Sequence, residues 1–462
     1  MEKNIALALY NKGLYAESVE HFDKALDQLW GRLPKHAISA AIQFISGFLH
    51  LLVSLYLPSL KFRKIPTQDD KEAVDLFFKK LKALAIINPK KFFIESFHFY
   101  KRFTNYGLAN FESGIGMFVG ASTFFSFTGI SFRLSRKILD LVKDKIHTND
   151  IRSFTIYDFS ETLHNYFEGS WNAIKDYDAD LVERNLNIGE TYWASQHIFW
   201  HILPKIYQGY PENPKSLMNK LNEIYKVYEN DLSIILEYYA DISLSLEYRK
   251  LQESLDIAEQ CMEFIQNKSQ PQTLIHMLSC KAQIQILLGD IEGAKGCLKH
   301  ADKIRQEVNT VPWQLSGFFR SRFEYDLHRL RESLMAGNKA LAYDYRLKAA
   351  RSRKRLLKVA RKAAQHRTES YKQVGVYYWI IDKQRRALKW WHKAVEEGER
   401  LGARSELSRV YFEVGKSLLE AKSRYAKLNG IEAKEYLQKA RRMYVEMDLQ
   451  WDLNELNRLD LN

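Results

Sequence analysis

The tripeptide Gly415-Lys416-Ser417 ends as a phosphate-binding loop ends, with a lysine to reach phosphates and a hydroxyl to hold Mg2+. The full pattern needs a glycine five residues before Gly415, and Val410 stands there. The surrounding SRVYFEVGKSLLEAK has helical periodicity, so Gly415 is expected to be a small packing residue within a helix. Gly114, Gly116 and Gly120 approach the dinucleotide fingerprint, but the spacing is one residue too long and no strand pattern precedes it. His197 and His201 lie four apart and share a helix face, as the ligands of a zinc hydrolase do. Ile198 occupies the place of that enzyme's general-base glutamate. With Phe199 and Trp200 beside them, the two rings are expected to be packed or hydrogen-bonded. No pair among Cys261, Cys280 and Cys297 has the short spacing of a zinc site, so neighbouring His300 completes no ligand set. These residues give no catalytic, cofactor-binding or metal site, and the expectation is a protein that is not an enzyme.

Charge is more informative. Between Arg346 and Arg367 there are ten Lys/Arg residues and no acid, and they carry most of the formal net charge of +13. Leu356, Val359, Ala360 and Ala363 supply a buried stripe, which predicts one long helix with its cations outward. Arg351, Arg353, Lys354, Arg355, Lys358, Arg361 and Lys362 would form a basic surface able to hold nucleic acid, an acidic protein or anionic lipid. The alternatives are a solvated face or pairing with acids of adjacent repeats. No aromatic residues interleave the cations, which counts against single-strand binding.

The elements that must carry these groups are helical. From Glu369 to Gly402 two amphipathic patterns flank a polar turn at Asp382–Lys383, with Tyr371, Gly375 and Tyr378 on one face and Ala387, Trp391 and Ala394 on the other helix. Small residues at Gly375, Ala387 and Ala394 predict close approach of the two helices. The pattern recurs so that its last small residue falls at Ala258, Ala301, Ala349, Ala394 and Ala440. Strand signals are nearly absent. The expected fold is all-α: a right-handed α-solenoid of helical hairpins with a period of about 40–48 residues. Residues 1–230 hold degenerate repeats, and residues 231–462 hold better-defined ones ending in a C-terminal capping helix. With nine prolines and 21 glycines there is no long linker, and Pro211 and Pro214 are expected to end one helix before another begins near Ser216.

Ala37–Leu57 has no formal charge and is flanked by Arg32, Lys35, Lys61, Arg63 and Lys64. Its length would allow a membrane contact, but Gln43, His50 and its serines favour a helix surrounded by other helices. A sparse, odd set of cysteines without a signal peptide predicts a cytoplasmic protein.

Residues 385–420, with the run LNGIEAKEYLQKARRMYVEMDLQWDLNEL at 428–456, resemble the closing tetratricopeptide repeats of large bacterial signalling ATPases of the STAND type, often joined to class III adenylate or guanylate cyclases or to protein kinases. The resemblance implies a repeat array that senses or holds a regulator. The family's phosphate-binding loop and catalytic domain have no counterpart here, so no catalytic residue carries over. The implied function is a non-catalytic scaffold for protein–protein interaction in signalling. Its partner would be a peptide or protein in the concave groove, with a signalling ATPase, cyclase or kinase as the candidate the resemblance implies. Lys372, Gln373, Tyr377 and Trp379 are the exposed first-helix residues expected to meet it. A nucleic-acid-linked or membrane-associated component, using residues 346–367 or 37–57, is the alternative.

Overall fold

Helix boundaries follow local chemistry. Asp150, Asp178, Asn230, Asp290 and Asn338 each accept a backbone N–H of the first turn that follows them, and Pro271 and Pro312 begin helices where no amide donor is needed. Many turns pass through one left-handed residue, including Gly209, Arg249, Gly289, Gly337, Asp382 and Asp448. The computed structural model describes residues 1–30, 37–57, 64–106, 111, 114–210, 212–268, 270–308 and 310–460. Among these the fold is all-helical apart from a ribbon pairing Lys427–Leu428 with Ile431–Glu432.

Helices α1 (Glu2–Asn11), α2 (Tyr15–Trp30), α3 (Ala37–Tyr56), α4 (Gln68–Ile87) and α5 (Pro89–Phe103) make the N-terminal part. Helix pairs follow: α6 (Gly114–Thr128) with α7 (Phe132–Val142), α8 (Ile151–Glu168) with α9 (Ala179–Asn187), and α10 (Thr191–Tyr207) with α11 (Glu212–Tyr228). Next come α12 (Asp231–Glu247) with α13 (Leu251–Phe264), α14 (Pro271–Leu288) with α15 (Ile291–Glu307), and α16 (Pro312–Met335) with α17 (Lys339–Ala360). The last pairs are α18 (Arg367–Ile380) with α19 (Gln384–Leu401) and α20 (Arg404–Leu419) with α21 (Ala433–Glu446), before α22 (Gln450–Asp460). The first members of the pairs, α6 to α20, and then α22, touch in succession, and each second member packs on its own partner.

Small residues set the close approaches. Gly375 on α18 faces Trp391 of α19, Gly415 on α20 faces Leu437 and Ala433 of α21, and Gly116 on α6 faces Ser153 of α8. The phosphate-loop and dinucleotide look-alikes are therefore packing positions. The largest apolar cluster runs from Ala6 to Ile284, crossing residue 230 through Ile224 and Leu232, and also takes in Ala363, Ala364, Leu401 and Ala403.

Those last four belong to a return of the chain on itself. The Tyr166 hydroxyl donates to Gln365 Oε1 at 2.8 Å, the Ala364 N–H to the Phe167 carbonyl at 3.0 Å, and Arg400 Nη1 to the Gly169 carbonyl at 3.1 Å. Helix α10 also touches α20, and α6 touches α16.

Three expectations change. Helix α17 stops at Ala360, and α18 starts only at Arg367, so the basic run is not one helix. The break expected before Ser216 falls before Glu212, with Pro214 in the first turn of α11; Pro211 lies outside the described residues. Helix α3 is not surrounded. It packs on α5, with Phe44 against Phe93 and Phe97 and Gly47 against the Phe97 backbone, and leaves Ile42, Ile45, Leu49 and Tyr56 exposed. Of its flanking cations, Arg32, Lys35, Lys61 and Arg63 lie outside the described residues.

Candidate functional site

The expected groove residues on α18 are not exposed. Gln373, Tyr377 and Trp379 are buried, and Lys372 is mostly covered. Trp379 Nε1 donates to Glu420 Oε2 at 3.0 Å, Gln373 donates to Glu369 and Glu324 at 3.3 and 3.4 Å, and Lys372 pairs with Glu369 at 2.8 Å. The physical reason is the neighbourhood: α16, α17, α19 and α20 all pack on α18. Of the aromatic rings in this stretch, Tyr377, Trp379 and Trp391 are core, and Tyr371 and Tyr378 pack half-buried against it.

Behind them lies a buried charge cluster that local sequence patterns did not reveal. Arg409 of α20 donates through Nη1 to Glu247 of α12 at 3.0 Å, and through Nε and Nη2 to Asp452 of α22 at 3.0 and 2.8 Å. Arg320 of α16 lies 3.0 Å from His366 Nδ1 and also donates to Gln283. Glu406 accepts the Glu369 N–H at 3.2 Å and sits 3.4 Å from His366 Nδ1. Burial, with Arg320 beside it, holds His366 well below its usual range, so its ring is neutral and Nδ1 can accept.

Burial, reinforced by the charges of Glu247 and Glu369, pushes the Glu406 carboxyl up to about 8 against the pull of Arg320. A carboxyl whose folded value exceeds its unfolded one contributes its full stability below the unfolded value and loses it as pH rises through the folded one. Wild-type stability is therefore expected to fall, relative to a Glu406→Gln variant, as pH rises from about 4.5 to about 8. Thermal melts of both proteins at about pH 5.5 and about pH 9 check this; a difference that does not change with pH would refute the charge assignment.

A mostly apolar cavity of about 130 Å³ opens among α4, α5, α6, α8, α10 and α12, lined by Phe78, Tyr100, Phe159, Trp193 and Trp200 among others. Lys82 is buried at its edge, 3.6 Å from Glu190 and 4.9 Å from the Trp193 ring centre.

The accessible chemistry lies on α17. Arg351, Lys354, Arg355 and Lys358 are exposed, as is Arg361 just beyond the helix, and none of the five has a carboxylate within ion-pair distance among the described residues. Lys362 is half-buried. Arg353 is turned in, its guanidinium 5.0 and 4.9 Å from the ring centres of Tyr377 and Tyr378. Arg367 is buried and pairs with Glu397 at 2.8 Å, so it leaves the basic surface. Leu356, Val359, Ala360 and Ala363 are buried as their spacing predicts. Tyr343 and Leu347, exposed two turns and one turn before Arg351, continue the same face at helical spacing, and Leu334 and Met335 are exposed at the end of α16.

No protein-family model matches the chain, and no match to it is found among curated proteins.

Proposed function

We propose that the chain is a non-catalytic scaffold, a tetratricopeptide-like right-handed α-solenoid, that holds a protein segment bearing an apolar anchor and acidic residues. The observation that carries this is the face of α17, where Tyr343 and Leu347 run into the unpaired cations Arg351, Lys354 and Lys358. Apolar anchors supply most of the affinity at such a surface, and uncompensated charge sets orientation and encounter rate. Nucleic acid would use the cations but has less need of Tyr343 and Leu347. The resemblance to signalling arrays favours an ATPase, cyclase or kinase as the partner. The three cysteines are free thiols, in keeping with a cytoplasmic setting.

The test is quantitative capture from nuclease-treated native lysate. The wild-type chain is expected to retain a discrete protein that both Arg351→Glu/Lys354→Glu/Lys358→Glu and Tyr343→Ala/Leu347→Ala lose at least tenfold. Equal capture by the charge-reversed protein, or material that nuclease removes, would overturn the reading.

A second reading rests on α3, whose Ile42, Ile45, Leu49 and Tyr56 form an exposed apolar face. Among the described residues no helix is long and apolar enough to cross a membrane, so contact through α3 would be peripheral. Flotation with anionic vesicles that is abolished by Ile45→Glu would favour it over the α17 surface.

A further inference from the structure

Helix α10 carries His197 and His201 one turn apart, and α8 presents Asp158 to them. All three residues are buried, and one donor atom from each lies within 4.8 Å of the other two. His197 Nδ1 is 3.1 Å from Asp158 Oδ2, an ion-pair distance, and His201 Nε2 beside them has no hydrogen-bond partner. Buried polar atoms are almost always paired, so the unpartnered His201 Nε2 beside the Asp158–His197 pair asks for a partner that all three could share. Two ligand atoms bound at about 2.0–2.1 Å to the same ion sit about 3 Å apart, the separation of Oδ2 and Nδ1.

The surroundings are arranged for the same end. His201 Nδ1 lies 2.7 Å from the His197 carbonyl, to which it donates. That bond fixes the tautomer and turns the bare Nε2 lone pair toward the cluster, as a backbone carbonyl does for metal-bound histidines.

The plainer reading is a buried histidine–aspartate pair without a ligand. In its favour, the Asp178 N–H donates to His197 Nε2 at 3.4 Å, which would leave the His197 proton on Nδ1. Against it, His201 Nε2 would stay unpaired in the interior beside that pair.

We propose that Asp158, His197 and His201 bind one divalent late first-row transition-metal ion, with Zn2+ the best fit, through Oδ2, Nδ1 and Nε2. Two imidazoles and one carboxylate suit Zn2+, Co2+ or Ni2+ far better than Mg2+ or Ca2+, which take oxygen ligands. Three protein ligands leave a position for water or an exogenous donor. Binding places the His197 proton on Nε2 and displaces the Asp178 N–H. Asp178 also accepts the Leu181 N–H at the start of α9, so loading is coupled to that turn.

The experiment uses the untagged full chain, assayed for metal as purified, stripped with chelator, then titrated with Co2+, Zn2+ and Mg2+. Expected are one Co2+ per chain with a visible d–d band, displacement by Zn2+, a Zn2+-dependent rise in melting temperature, and no response to Mg2+. Asp158→Asn and His201→Gln should each weaken Co2+ binding by at least about tenfold, while His300→Gln, an exposed histidine, should not. X-ray absorption of the Co2+-loaded wild type should show two imidazole ligands, a readout that stands even where a variant fails to fold. No stoichiometric binding by the wild type, or binding unchanged in both ligand variants, would overturn the proposal.

Discussion

Replacing Arg409 with methionine is expected to destabilise the protein by about 3–5 kcal/mol, the cost of leaving a buried partner charge uncompensated. Methionine keeps much of the stem's bulk, so the loss reports on charge rather than on a cavity. Arg409 is buried, and its guanidinium bridges carboxylates from two other helices, Glu247 of α12 and Asp452 of α22. Both carboxyls are held below their usual range by that guanidinium against the opposing effect of burial. Without it each must protonate or remain charged in the interior. Adding Glu247→Gln and Asp452→Asn to the methionine variant should restore much of the loss, because the cost lies in the orphaned charges and not in the missing pair. Chemical unfolding of the single and triple variants measures this. A single-variant loss under about 1 kcal/mol would mean that water or rearrangement already compensates the acids.

The second large effect is steric. A β-carbon on Gly375 would sit 2.2 Å from Trp391 Nε1, well inside contact distance. Trp391 cannot retreat cheaply, being fully buried with Nε1 donating to the Lys372 carbonyl at 3.2 Å. Gly375→Ala should therefore lose about 2–3 kcal/mol despite alanine's better helix propensity. Gly296, within α15, meets nothing within 4 Å at the same test, so Gly296→Ala should gain up to about 1 kcal/mol. Calorimetry on the two proteins separates them by sign. A Gly375→Ala protein as stable as the wild type would show that α18 and α19 can part without cost.

These two sites also mark how far the sequence could be read. Gly375, Ala387 and Ala394 announced a close helix pair because every residue of that contact lies within one hairpin, where spacing maps directly onto a face. The cations of α17 were legible for the same reason, since the outward face of a helix is set by its own periodicity. What failed were inferences needing a partner from elsewhere. Arg353 turns inward to Tyr377 and Tyr378, and Arg367 to Glu397, each across a turn that a single helix pattern cannot see. His197 and His201 were visible as a pair, but Asp158 arrives from another helix, so the third donor had no signature in the spacing. In α3 the composition is apolar all round, so nothing indicated which face would stay uncovered. The groove residues of α18 were misplaced because an isolated hairpin does not say that its first helix will be enclosed.

The return of α18 and its neighbours onto α8 and α10 has a consequence for how this chain could change length. In an open array each repeat touches only its neighbours, so copies are gained or lost one at a time and folding starts anywhere. Here Tyr166 meets Gln365, and Gly169 meets Arg400, after about 200 residues of intervening chain. Removing one hairpin between α9 and α17 would rotate and shift those surfaces past each other, so the number of hairpins in that interval is locked. The same contacts make closure late and slow, since many distant segments must be in place before it is rewarded. These long-range contacts latch distant helix pairs together, so the chain should evolve by substitution within helix pairs rather than by gaining or losing them.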